Sequence, residues 1–172
     1  PPRLVVEASI NWYKDTPGNE QFIKLTTTTD YFSNTIPKVS GATVFITNSS
    51  NVVFDFIEGT EPGIYECSNF IPVINENYTL TIIYNGEIYN STDKLLATPP
   101  IKRIEQNNEG GVLGEDIELR FVYDDIENET NFYLQQIDDP YKVIPEFGII
   151  EDRFFQNNEI FQKEHQFLAN IS

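Results

Sequence analysis

The chain contains no methionine, one cysteine, one histidine and one tryptophan in 172 residues. Cys67 alone cannot close an internal disulfide. It reads as a small apolar strand residue. His165, flanked by Glu164 and Gln166, supplies neither a zinc ligand set nor an acid–base pair by itself. Basic residues are also scarce: 11 Lys and Arg stand against 27 Asp and Glu, a net charge of −16. Such a surface repels phosphate backbones, which argues against a nucleic-acid partner. It gives no electrostatic hold on anionic lipid either. No apolar run approaches the roughly 20 residues of a membrane helix. No targeting segment is visible and the chain opens Pro1-Pro2, so it reads as trimmed from an exported protein. Ser–His–Asp sets, glycine-rich phosphate loops and His–Glu metalloprotease motifs are missing. No residue is therefore assigned a catalytic role, and the chain reads as something other than an enzyme.

What the sequence does contain is short alternating runs joined by turn residues. Leu4, Val6, Ala8 and Ile10 share one face of a strand over 3–11. Further strands are expected over 21–28, 42–47, 52–57, 64–68, 78–84 and 87–93. Tyr78, Leu80, Ile82 and Tyr84 should point into a core, and Thr79, Thr81 and Ile83 away from it. Asn85-Gly86 is a hairpin turn signal, because both central positions of a type I′ turn need positive φ. Seven strands at this spacing predict an all-β sandwich of immunoglobulin or transthyretin type. Thr98-Pro99-Pro100 marks a junction, since consecutive prolines stiffen the chain and stop sheet pairing. The expected domains are 1–98, a sandwich, and 99–172, a second, smaller and truncated β-rich domain. Strands are expected there over 101–106, 116–123 and 131–137, with Ile117, Leu119, Phe121 and Tyr123 on one face. A loop begins at Gly110-Gly111, and the chain is less regular after Pro140.

Gly41-Ala42-Thr43-Val44, Gly63-Ile64-Tyr65 and Tyr78-Thr79-Leu80-Thr81-Ile82 resemble the carboxypeptidase-regulatory, transthyretin-like sandwich. Arg3 to Ala8, Tyr31-Phe32-Ser33-Asn34 before Val39-Ser40-Gly41-Ala42, and Pro99-Pro100-Ile101 resemble more closely domain of unknown function 4249, a family of Bacteroidetes outer-membrane lipoproteins. One departure is Asn75-Glu76-Asn77, where that family usually has a glycine; asparagine tolerates the left-handed geometry needed there. The resemblance implies export, a lipidated cysteine upstream of Pro1, and service to a TonB-dependent transporter or another surface protein in nutrient capture.

Trp12, Tyr13, Tyr31 and Phe32 sit at strand ends or in loops. Exposed, they could stack on a sugar or anchor a partner protein; buried, they would cap the core. Asp124, Asp125, Glu127 and Glu129 form an acidic turn. It reads either as a solvated hairpin or as oxygen ligands for calcium, the one metal considered; no cofactor is expected. Acceptor patterns Asn-x-Ser/Thr at Asn48, Asn77, Asn90, Asn128 and Asn170 are silent in a bacterial protein. Three readings follow: a binding module, a structural or adhesive stalk, and a calcium-dependent binding domain or hydrolase.

Overall fold

A computed structural model describes residues 2–110, 113–114, 116–124, 132–137, 143–151 and 159–166. Every regular element among them is a strand. The chain divides into two compact units, Pro1–Ala97 and Thr98–Ser172.

The first unit holds β1 (Leu4–Ala8), β2 (Gln21–Thr27), β3 (Thr43–Asn48), β4 (Val53–Glu58), β5 (Ile64–Cys67), β6 (Asn77–Tyr84) and β7 (Glu87–Lys94). They form one curled antiparallel sheet in the order β1-β2-β5-β4-β3-β6-β7. The two layers are continuous through β4. Its Val53–Phe56 segment pairs with β3, and Ile57 and Glu58 pair with β5. Read as β1-β2-β5-β4 and β3-β6-β7, the order is that of the seven-stranded immunoglobulin sandwich.

Alternation explains the core. Ile23 and Leu25 of β2, Val44 and Ile46 of β3, Phe54 and Phe56 of β4, and Tyr78 and Ile82 of β6 are buried together with Val39, Tyr65, Cys67 and Phe70. Leu80 and Tyr84 pack against the same cluster, so the inward set expected for β6 is the observed one. Phe70 lies between Phe54 and Tyr78, with ring centroids 4.5 and 5.2 Å away. Cys67 is buried in β5, its thiol 3.2 Å from Asn69 Oδ1. Asn85 and Gly86 both have positive φ, 51° and 81°, as the hairpin requires. Asn75 takes φ 66°, the left-handed position for which asparagine stands in for glycine.

The second unit holds β8 (Arg103–Gly110), β9 (Asp116–Asp124), β10 (Phe132–Ile137), β11 (Glu146–Glu151) and β12 (Glu159–Gln166). β12-β9-β8 form one sheet and β10-β11 another. Two expectations need correction. β8 runs on through Gly110, because it pairs with β9 across a register shift between Asn107 and Gly110. The stretch after Pro140 contains two strands, β11 and β12, held by ladders to β10 and β9. In β9 Glu118 and Val122 are buried, as is Tyr123 on the opposite face, which Ile117, Leu119 and Phe121 share as expected.

Candidate functional site

The 28–38 segment leaves β2 and returns to it. The Thr27 N–H donates to the Pro37 carbonyl at 3.0 Å, and Thr26 bridges to Lys38. Inside the arch the Ser33 N–H donates to the Asp30 carbonyl at 2.9 Å, and Ser33 Oγ donates to the Thr35 carbonyl at 2.9 Å. Tyr31 and Phe32 ride on this bend at 93% and 91% exposure. Their rings meet edge to face, 5.1 Å apart at 86°. Such a pair contributes about 0.5–1.5 kcal/mol, so the two rings steady each other rather than the core.

Trp12 and Tyr13 follow β1 and behave differently. The Trp12 indole N–H donates to the Thr16 carbonyl at 2.8 Å. Its ring lies against Gly18, where an added Cβ would sit 2.8 Å from Trp12 Cδ1 and 2.7 Å from Pro72 Cγ. Gln21 fixes the loop from below. Its buried amide accepts from the Asn11 N–H at 2.9 Å and donates to the carbonyls of Asn11 and Gly18 at 2.7 and 2.8 Å. Trp12 is 42% exposed and braces this loop, while Tyr13 is 73% exposed.

The four aromatics do not share one patch. Asn11 is tied to Gln21 at the start of β2, and the arch bearing Tyr31 and Phe32 leaves from its end at Thr27. Seven residues of extended strand span about 20 Å. Of the proposed acidic ligands, Asp124 ends β9 with its carboxylate 2.9 Å from Lys102 Nζ. Asp125, Glu127 and Glu129 lie outside the described residues. Among the described residues no three His, Cys, Asp or Glu side chains converge as a metal set.

The motif residues turn out to tie loops. Glu58 accepts the Gly41 N–H through Oε2 and the Gly63 N–H through Oε1, both at 3.0 Å. The Gly63 N–H, the Ser40 hydroxyl and the Gly41 N–H hold its carboxyl below the usual range. Tyr65 accepts the Ala42 N–H and donates to the Val39 carbonyl, each at 3.0 Å. Burial raises its phenol. Tyr78, at the start of β6, accepts the Val73 N–H at 2.8 Å and donates to the Ile71 carbonyl at 3.2 Å. That is the tyrosine corner of an immunoglobulin sandwich. Glu76 ties the opposite loop, accepting the Ser49 N–H at 2.7 Å and the Ser49 hydroxyl. Glu58 and Glu76 carried no sequence signal: each is one carboxylate among many, and only the fold brings its partners within reach.

In the second unit, Arg120 reaches Glu105 Oε2 and Glu118 Oε1, each at 3.4 Å, and Arg103 Nε lies 2.7 Å from Glu105 Oε1. Tyr123 and Tyr133 meet edge to face at 5.1 Å. Burial, with a smaller contribution from Tyr133, pushes the Tyr123 phenol up to about 12.

Strand order, curled sheet and tyrosine corner define an immunoglobulin-type β-sandwich followed by a second β unit. The chain belongs to the family described as Domain of unknown function (DUF4249), whose model matches residues 1–171. Neither a curated protein nor a solved structure matches it.

Proposed function

We propose that the chain is a non-catalytic binding module of a Bacteroidetes surface lipoprotein, held at the outer membrane by a lipid anchor. In this reading it serves a TonB-dependent transporter in nutrient capture. The observation that supports it is the Tyr31–Phe32 tip. Two large aromatic rings stand almost fully in water on an arch bonded at its base and across its bend. Ring area presented on a preorganised loop is the usual currency of recognition, since little side-chain freedom is lost on contact.

The test is capture from native outer membranes on the immobilised chain. The expected result is co-purification of a TonB-dependent transporter, reduced at least tenfold by combined Tyr31→Ala and Phe32→Ala. The melting temperature should hold, because neither ring is part of the buried core. A wild-type chain that retains no transporter, or a tip variant that retains it equally, overturns the proposal and leaves a stalk as the better reading.

A further inference from the structure

We infer that the slot between β1 and β7 receives an extended strand from a partner polypeptide. The inference stands on the slot alone and does not use the Tyr31–Phe32 tip. β1 and β7 are the two ends of the curled sheet, and among the described residues each has a single strand partner. Between them lies a groove of about 510 Å³ walled by Val6, Ala8 and Ile10 on one side and Ser91 and Asp93 on the other. Ile46 and Leu80 form part of its floor. Val6, Ala8 and Ile10 continue the inward face of the sandwich, yet Ala8 is exposed and Val6 is 39% exposed. Opposite them, the inward β7 positions that line the groove are polar, Ser91 pairing with Leu80 and Asp93 with Tyr78, while Lys94 and the core-packed Leu95 close its end. The apolar stripe of β1 therefore faces polar side chains along β7, with apolar Leu95 only past the end of that strand.

The backbone at both edges is arranged for pairing. The Thr28 N–H donates to the Arg3 carbonyl, so Arg3, Val5 and Glu7 turn their amides toward β2. Those of Leu4, Val6 and Ala8 then point outward. Likewise the Leu95 N–H donates to the Glu76 carbonyl, which leaves the amides of Ile88, Asn90 and Thr92 directed away from β6, while that of Lys94 is taken by Asp93 Oδ1 at 2.8 Å. Six antiparallel steps separate β1 from β7, so the two edges run in the same direction. One inserted strand of opposite direction could therefore pair antiparallel with either edge, the geometry of β-strand addition.

The lining also selects against other occupants. Its one aromatic is Tyr78, buried and with its hydroxyl committed to Ile71 and Val73, so there is no open ring face on which a sugar could stack. The stretch from Val6 to Ile10 is about 16 Å long in extended form, the reach of a short strand. Asp93 and Lys94 both stand in the wall, so it is the net charge of −16 that favours a segment alternating small apolar residues with polar ones and carrying net positive charge.

The experiment is selection of displayed random nonapeptides on the full chain, followed by affinity and amide-exchange measurements with the enriched peptides. The expected result is enrichment of period-two apolar sequences that slow exchange at Val6, Ala8, Asn90 and Thr92. Ala8→Lys, which fills the groove from an exposed position, should weaken binding at least tenfold. Thr92→Pro should do the same by removing an outward N–H from an edge strand that tolerates proline. Thermal melting of both variants checks that they fold, and exchange in the unaltered chain provides a readout independent of them. No enrichment, enrichment without alternation, or binding that ignores the edge substitutions overturns the inference. Binding abolished only by Tyr31→Ala with Phe32→Ala places the peptide at the tip and overturns it too, while leaving the binding-module reading intact.

Discussion

The first unit has a closed side and an open side. On the closed side β4 passes from β3 to β5, and its inward residues Phe54 and Phe56 are buried. On the open side β1 and β7 end the sheet, and inward Ala8, Ser91 and Asp93 are exposed. Both sides obey the same two-residue period. The difference shows that alternation fixes where a side chain points, while burial depends on whether an opposing layer reaches it.

The largest expected contrast is between Phe54→Ala and Ala8→Ser. The first empties a core site beside Phe70 and should cost about 3–5 kcal/mol in urea unfolding. The second should stay within about 0.5 kcal/mol. Equal costs would abolish the distinction between the two sides. Next comes Gly63→Ala, at the closed side. Gly63 has φ 79° and an added Cβ would lie 2.7 Å from the Leu25 carbonyl oxygen, so about 2–3 kcal/mol should be lost. Gly86→Val probes the hairpin leading to the open edge. Its φ is 81° but nothing lies within 4 Å, so only backbone strain acts. A loss of about 1–2 kcal/mol is expected, and an unchanged melting temperature would contradict the type I′ register.

The smallest effect concerns acid. The Glu58 carboxyl is held below its usual value of 4.5 by the Gly63, Ser40 and Gly41 donors. A depressed folded-state value means that its stabilisation is present above the unfolded value and disappears as pH falls through the folded one. Melting temperature against pH should therefore drop less steeply below about 4.5 in Glu58→Gln than in the unaltered chain. Identical acid limbs would show that the Gly41 and Gly63 loops do not depend on that charge.

Much of the first unit can be read from sequence because its sheet is covered on one face. Tyr78, Leu80, Ile82 and Tyr84 alternate with Thr79, Thr81 and Ile83, and Asn85-Gly86 fixes the turn. β12 defeated the same approach. Glu159–Gln166 has only Ile160 and Phe161 as apolar residues, and it is a strand through its ladder to β9, more than thirty positions away in sequence. A strand set by its ladder to a distant partner need carry no apolar period of its own. The aromatic candidates were visible as residue types, but their separation along β2 was not, since pairing register is a non-local property. The open slot was hidden for a related reason. Val6 and Ala8 look like core residues until Ser91 and Asp93 are found opposite them.

Membership of β4 in both layers also bears on how the sandwich comes apart. The layers share a strand, and Glu58 near its end secures the turns before β3 and β5. Sharing β4 couples the two layers, so the amides of Ile23, Leu25, Val44 and Ile82 should open as one cooperative unit in hydrogen exchange. The terminal strands are outside that constraint, and each can fray independently before the rest lets go.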